Sequence, residues 1–268
     1  MKIATVTDEV VADRSASAFP KMFDLATREG VTTFEVREIE NRRFPAVQSE
    51  CWDRFRKYSD EFGIELTAVS PALFKAPFSH DLTRVHRSYF LEMSLEMAAA
   101  IGVRTLITFG VRRHDSDTED TFPRIVEMLR NTVDRAAALG FTVQLENLKG
   151  TWADTSSNCL KLLESVDHPA FGCVWDAGNY YEAGQEHFSE GYRKLKRYIR
   201  NVHLKDAVRQ QEGVRWVRLG TGDMDIAGHI ALLKQDGYDG TLTLETSCKP
   251  QTDENFIESA RYLRGLIG

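Results

Sequence analysis

Four ionisable residues each sit at or near the end of a short β-patterned run. Glu146 closes Thr142-Val-Gln-Leu-Glu146, Asp176 closes Gly172–Asp176, Glu245 closes Thr241-Leu-Thr-Leu-Glu245, and His203 lies within Asn201-Val-His-Leu-Lys205. Polar and apolar residues alternate along the runs of Glu146, His203 and Glu245, so the period of two puts Val143 and Leu145 on one face and Thr142, Gln144 and Glu146 on the other. If the apolar face meets a layer of helices, three carboxylates and an imidazole project from the opposite face. Two like charges about 4 Å apart cost about 4 kcal/mol at an effective dielectric of about 20, so such a cluster needs protons, basic partners or a cation. A single divalent ion with one nitrogen and three oxygen ligands satisfies all four groups. That hard donor set suits Mn or Mg, and the imidazole admits Co or Zn. Taken singly, each carboxylate reads as a surface or salt-bridged group, and His203 as a hydrogen-bonded core histidine. Four such groups on four successive runs, all with the same parity, favour a metal site.

Those residues must be positioned by regular elements, and the chain supplies them from end to end. Strands are expected at Ile3–Thr7, Thr32–Val36, Ile64–Ser70, Arg104–Phe109, Thr142–Glu146, Gly172–Asp176, Asn201–Leu204 and Thr241–Glu245. Between them lie runs with helical apolar spacing, such as Ile125, Met128-Leu129, Thr132-Val133 and Ala136. Gly30, Gly63, Gly102 and Gly140 each fall just before a strand, where a helix would end. Eight βα units in 268 residues predict an α/β fold, one (β/α)8 TIM barrel covering residues 1–268 as a single domain. A doubly wound sheet competes, but the turn after its first strand often carries a glycine-rich phosphate loop. Here that position reads Thr5-Val-Thr-Asp-Glu9. In a barrel, the ends of strands five to eight are neighbours on the active-site rim, which is where the four ionisable groups fall.

Further polar groups lie at or just after strand ends: Arg37, Lys75, Arg112, His114, Lys205 and Arg209 could bind hydroxyls or a carboxylate of a substrate. Lys205 and Arg209 follow the His203 strand directly and are favoured. Phe74, Trp152 and Trp175 could supply an apolar wall beside a bound ligand, although aromatic residues at such positions are more often core. Gly220 and Gly222 read as a tight loop and not as a phosphate cradle. Forty acidic and 34 basic residues give a net charge of −6, which argues against a nucleic-acid partner. No apolar run reaches the roughly 18 residues of a membrane span. The opening MKIATVTDEVVADR meets acids too early for a signal-peptide h-region. Four scattered cysteines without a CxxC pair fit a reduced compartment, so a cytoplasmic location is expected. A homo-oligomer is compatible with the sequence, which shows no decisive exposed apolar stripe.

The chain resembles the xylose-isomerase-like barrels, in particular the sugar and sugar-phosphate isomerase/epimerase group that includes tagatose 3-epimerases and inosose isomerases. The resemblance rests on Thr7-Asp-Glu9, Phe34-Glu-Val-Arg37, Ser70-Pro-Ala-Leu-Phe-Lys75, Leu145-Glu-Asn147, Trp175-Asp-Ala-Gly-Asn179, Val202-His-Leu-Lys-Asp206, Leu219-Gly-Thr-Gly-Asp223 and Leu244-Glu245, in that order along the chain. It implies metal ligands at Glu146, Asp176, His203 and Glu245, the set reached above from parity, and a substrate-binding arginine at Arg209. One position departs from the pattern: where the epimerases carry a substrate-contacting histidine three residues after the aspartate, this chain has Asn179. An asparagine can bind a hydroxyl but cannot carry a proton at neutral pH.

The expected reaction is isomerisation or epimerisation of a keto sugar, sugar phosphate or keto-inositol. Glu146 and Glu245 exchange protons with the carbon next to a carbonyl, through an enediolate that the metal stabilises. If both carboxylates exchange protons with carbon the product is an epimer; if one does, it is an aldose–ketose isomer. The same first step followed by loss of a β-leaving group would make the chain a dehydratase or lyase acting on a keto-inositol, dehydroshikimate or 3-keto-glycoside. An apurinic endonuclease is a remote alternative, disfavoured by seven histidines in all and by the acidic charge. A non-catalytic sugar-binding barrel is disfavoured by the intact ligand set.

Overall fold

The structure, a computed structural model, describes residues 1–184 and 188–268. Eight parallel strands form a closed barrel: β1 Lys2–Val6, β2 Thr33–Val36, β3 Glu65–Leu73, β4 Thr105–Phe109, β5 Thr142–Glu146, β6 Phe171–Asp176, β7 Ile199–Leu204 and β8 Thr241–Leu244. Their order around the sheet is β1-β8-β7-β6-β5-β4-β3-β2, so sequence neighbours are sheet neighbours. The fold is the (β/α)8 barrel that the strand spacing predicts. The chain divides into two compact units, Met1–Thr67 with Asn201–Gly268, and Ala68–Arg200.

In the first unit β1 pairs with β2 and with β8, and β8 pairs with β7, placing Thr243 beside His203. Helix α1 (Phe19–Arg28) opens with Pro20 in its first turn, where a missing N–H leaves nothing unpaired. It buries Phe19, Met22, Phe23 and Ala26, a stripe at helical spacing. Phe23 meets Phe34 of β2 edge-on at 5.3 Å, and Phe55 of α2 (Ser49–Glu61) stacks on Trp52 at 5.6 Å. Full burial of aromatic rings of this kind contributes roughly 2–3 kcal/mol each. Two antiparallel hairpins that the sequence pattern did not announce extend from strand ends, Glu38–Ile39 with Arg42–Arg43 and Asp206–Arg209 with Val214–Val217.

In the second unit β4 runs in register with β5 from Thr105↔Thr142 to Phe109↔Glu146, and β5 with β6 from Val143↔Phe171 to Glu146↔Val174. The pairing of β3 with β4 is irregular between Val69 and Leu73. Helix α3 (Leu91–Ala100) buries Leu91, Leu95 and Ala98. On α4 (Thr121–Ala137), Ile125, Met128, Leu129, Thr132, Val133 and Ala136 are all buried, as their spacing predicts. The glycines placed at helix ends by the sequence, Gly30, Gly63, Gly102 and Gly140, all have φ between +63° and +76°, a region that L-residues with a Cβ adopt only under strain. No helix of the described residues is long and apolar enough to cross a membrane.

Helix α8 (Ile226–Gln235, taking α5 as Ser156–Val166, α6 as Ala177–Glu182 and α7 as Phe188–Leu195) carries the buried His229. Burial lowers its pKa from 6.5 to about 4, against an opposing upward pull from Asp225. The unfolded chain therefore binds this proton first, and the contribution of a neutral His229 is complete above pH about 6.5 and lost as the pH falls towards 4. The shift corresponds to about 3 kcal/mol. Urea denaturation between pH 7 and pH 4 should show the His229→Gln variant losing less stability than the wild type; parallel losses would disprove this coupling.

Candidate active site

In the second unit, the carboxylates of Glu146 and Asp176 are both buried, at the ends of β5 and β6, and offer oxygens within 4.8 Å of each other. Hydrogen bonds of two asparagines, Asn147 and Asn179, fix them. Asp176 Oδ1 accepts the Asn179 backbone N–H at 2.8 Å, capping α6, so the strand end and the helix start are one joint. Asn147 accepts the Asp176 N–H at 3.1 Å and donates to the Asp176 carbonyl at 2.8 Å. Asn179 Nδ2 donates to the Asn147 carbonyl at 2.9 Å and reaches Glu146 Oε1 at 3.4 Å. Asn179 thus orients the Glu146 carboxylate. Gln144, two residues earlier on the same strand face, is also buried, and its side-chain oxygen has no hydrogen-bond partner among the described residues.

In the first unit, His203 of β7 is gripped on both ring nitrogens. Nδ1 lies 2.9 Å from Glu245 Oε2 and Nε2 lies 2.8 Å from Glu35 Oε2. Glu35 is in turn held by Asn201 Nδ2 at 2.6 Å and the Thr243 hydroxyl at 2.5 Å. Burial works against its charge, yet its pKa is lowered, chiefly by His203 and then by the Thr243 and Asn201 hydrogen bonds. Glu245 follows β8 directly and remains in the ladder through its N–H to the Leu204 carbonyl at 3.0 Å. Its carboxylate meets Lys205 Nζ at 3.2 Å and the Arg37 guanidinium. Burial again opposes the charge, but Lys205, Arg37 and His203 hold Glu245 well below the ordinary carboxylate range.

Arg37 is the hub of this unit. Nε and Nη2 fork onto both oxygens of Asp8 at 2.8 Å, Nη2 also reaches Glu9 Oε1 at 2.8 Å, and Nη1 donates to Glu245. Burial disfavours its charge, but Asp8 above all, then Glu245 and Glu9, raise its pKa beyond the usual arginine range. The sequence proposes Arg37 as a substrate ligand; the structure commits its fork to three carboxylates instead. Lys205 is buried against Glu245 and sits 5.3 Å over the Trp216 ring. Glu35, Asp8 and Glu9 were not singled out by chemistry in the sequence. The same period-two split would have exposed Glu35, since Thr33 and Glu35 share the face opposite Phe34 and Val36.

The remaining sequence candidates are placed as follows. Arg209 stands at the end of a hairpin strand, with its backbone N–H on Asp223 Oδ2 at 2.7 Å. Lys75 is half-buried after β3, 4.8 Å over the Phe109 ring. His114 lies in an exposed turn, its Nδ1 2.8 Å from the Ser116 hydroxyl. Phe74 and Trp175 are fully buried and belong to the core, packing on His86 and Tyr180. Around Gly220 and Gly222 the loop is already occupied by an internal anion, as both N–H groups donate to Asp206 Oδ2 at 2.9 Å. A Cβ on Gly222 would lie 2.3 Å from Asp206 Oδ1, which accounts for the glycine.

Glu146 and Asp176 in the second unit, and His203 and Glu245 in the first, are each buried and of a type able to ligate a metal ion. The donor set fits such an ion. An imidazole facing a carboxylate on each nitrogen can donate to both only as a cation; with Nε2–H given to Glu35, Nδ1 of a neutral ring is left to act as a ligand.

Comparison with known proteins agrees with this architecture. The family model described as "Xylose isomerase-like TIM barrel" matches residues 23–266, and the chain belongs to that family. An inosose dehydratase of Geobacillus thermodenitrificans (strain NG80-2) is 25% identical over 170 residues, which span 56% of this chain and 56% of that protein. The chain therefore matches just over half the length of this curated relative. Among solved structures, the IOLI protein with a bound zinc atom superposes with a TM-score of 0.79 at 17% identity, covering 100% of this chain and 98% of that one. An L-ribulose 3-epimerase gives 0.77 at 19% identity, over 99% and 94%.

Removing one partner of a buried ion pair strands the others, typically at 3–5 kcal/mol. Arg37→Ala should destabilise the protein by up to about that amount at pH 7, because Asp8, Glu9 and Glu245 then lose the cation they share, and only Arg14 beside Asp8 and Lys205 beside Glu245 remain. The deficit should shrink as the pH falls below the ordinary carboxylate range, because Arg37 is one of the cations that hold the Glu245 carboxyl below it. Urea midpoints for both proteins at pH 7 and pH 4 measure it, and a deficit below about 1 kcal/mol at pH 7 would show that the network contributes little.

Proposed function

We propose that Glu146, Asp176, His203 and Glu245 hold one divalent cation, Mn or Mg in preference to Co or Zn, and that the chain is an isomerase or epimerase of a keto sugar, sugar phosphate or keto-inositol. The observation that carries this reading is the donor set itself: three buried carboxylates and an imidazole whose far nitrogen is anchored on Glu35. Membership of the xylose isomerase-like family and the fold shared with an L-ribulose 3-epimerase support it. A bound divalent cation supplies Lewis-acid polarisation of the substrate carbonyl, worth several kcal/mol.

The chain's own groups do the rest. Glu245, kept ionised by Lys205 and Arg37, is the carboxylate assigned to accept a proton from the carbon beside the carbonyl. Glu146, oriented by Asn179 Nδ2, is the second carboxylate able to take or return a proton. Arg37 acts through Glu245 instead of touching substrate, and Glu35 fixes the ring of His203. Arg209, Lys205, Asn179, Lys75 and His114 are the groups proposed to bind substrate hydroxyls or an acidic group. Four free, buried cysteines support a reduced, cytoplasmic setting.

A second reading is favoured by one observation, the similarity to an inosose dehydratase. In it the same carboxylate removes the proton, the C–O bond to a β-hydroxyl breaks, and the hydroxyl leaves as water with a proton returned by the site. Mass conservation separates the two: an isomer or epimer has the mass of the substrate, and a dehydration product is lighter by one water.

Two measurements test the assignment. Elemental analysis after equilibration with Mn²⁺ and removal of free ion should find about one ion per chain, and none in the Glu146→Gln/His203→Ala variant; an intact, folded wild type that retains no ion would remove the metal site. With a substrate in hand, Glu245→Gln should lose at least about 10²-fold in turnover while remaining folded. Near-normal turnover of that variant would remove Glu245 as the base.

A further inference from the structure

Beside this site the first unit carries an open groove of ≈430 Å³ whose walls come from the segments following β7 and β8. One wall is the hairpin strand Val214–Val217 with the loop to Thr221, and the other is Cys248–Thr252. The charged residues in its lining are Arg215, Arg218 and Lys249, and no carboxylate lines it. In a chain with more acids than bases that is an unusual local balance. Elsewhere in the molecule several arginines are paired with acids at 2.6–3.6 Å, for example Arg135 with Glu92 and Arg261 with Glu29. Among the described residues, none of these three cations makes an ion pair. Thr221 and Thr252 add hydroxyls, and Trp216 forms a flat wall.

The groove is joined to the carboxylate cluster by direct contact. The Trp216 ring lies under Lys205 Nζ at 5.3 Å, and the same ammonium is 3.2 Å from Glu245. A substrate reacting beside Glu245 could therefore extend past Trp216 towards three uncommitted cations. Guanidinium groups present planar forks of N–H donors that match a phosphate's oxygens, and a phosphate dianion suits a groove holding more positive charge than one carboxylate would use. The pair of glycine amides nearby is not available for this purpose, because Asp206 already fills it.

We propose that this groove binds the phosphate group of a phosphorylated polyhydroxy ketone, which makes a sugar phosphate the preferred substrate class. The binding claim stands on the groove alone, and the substrate claim rests on the reading under Proposed function.

The test uses the whole 268-residue chain, metal-free, titrated calorimetrically with inorganic phosphate at low ionic strength. Wild type should bind at one site, more weakly as salt is added. Arg215→Gln/Arg218→Gln/Lys249→Gln should bind at least about tenfold more weakly, as loss of three exposed charge contacts implies. The control Lys57→Gln/Arg84→Gln/Arg87→Gln removes the same charge elsewhere and should bind as wild type does. Absence of phosphate binding, or equal weakening in both variants, would overturn the groove as a site. Metal-loaded protein is then compared on ribulose 5-phosphate and ribulose by exchange of the substrate's C–H proton with deuterated solvent. A higher kcat/KM for the phosphate ester, with the ratio falling in the groove variant, supports the substrate class. Phosphate binding without that preference would overturn the substrate claim and leave a separate anion site. Exchange on neither compound, with phosphate still bound, counts against the proposed reaction and the substrate claim but not against the groove.

Discussion

The first unit depends on one buried interaction, the fork of Arg37 on Asp8, Glu9 and Glu245. These residues follow β2, β1 and β8, three adjacent strands of the barrel, so a single guanidinium ties three strand ends together. Burying three carboxylates without a cation would cost several kcal/mol for each, or force them to take up protons. With Arg37 and Lys205 beside it, Glu245 stays charged in a dry environment and keeps the lone pairs a base or a metal ligand needs. The network is therefore structural and chemical at once.

Around that hub the unit departs from a barrel built for stability alone. Branched apolar side chains would fill such an interior most favourably, yet Glu35, Asn201, His203 and Thr243 occupy it, each with hydrogen-bond partners. Such a network is tolerable only when fully satisfied, because each orphaned member would cost the desolvation of a polar group. Backbone strain follows strand ends in each unit: Ser247 follows β8 in the first with φ of +52°, and Phe74 and Val111 follow β3 and β4 in the second with φ of +62° and +61°. Non-glycine residues held there cost about 1–3 kcal/mol each and persist where the surroundings over-determine them. For Phe74 that surrounding is visible, since its N–H is taken by the buried His86 Nδ1 at 2.9 Å.

Much of this was legible in the sequence. Eight strands lie where alternation and terminal glycines put them, displaced by no more than a few residues, because period two and period 3.6 are strong signals in long, regular units. The irregular parts were not legible. The hairpins at Glu38–Arg43 and Asp206–Val217 are short and charged and carry no alternation worth reading. The partners of Arg37 were hidden for a different reason: Asp8 lies 29 residues away and Glu245 lies 208 away. A long charged side chain after a strand reads equally well as a substrate ligand or a clamp, and only the three-dimensional placement of several carboxylates decides between them. Parity identified Glu146 and Glu245 because the rule was applied to their strands; the same rule reaches Glu35 on β2.

Asn179 bears on the chemistry that distinguishes the two proposed reactions. Its backbone is capped by Asp176 and its side-chain amide spans the Asn147 carbonyl and Glu146, so it is built into the joint between β6 and α6. A neutral amide can orient a carboxylate but cannot take its proton. In the proposed reaction a proton removed from carbon must therefore stay with the carboxylates or pass to another ionisable group. Returned to a carbon, it gives an isomer or epimer. Delivered to a β-hydroxyl oxygen, it makes that oxygen a competent leaving group and the product loses water. Both outcomes share one abstraction, so the choice between them depends on which substrate atom the protonated carboxylate meets next, a matter of how the substrate is anchored at its far end.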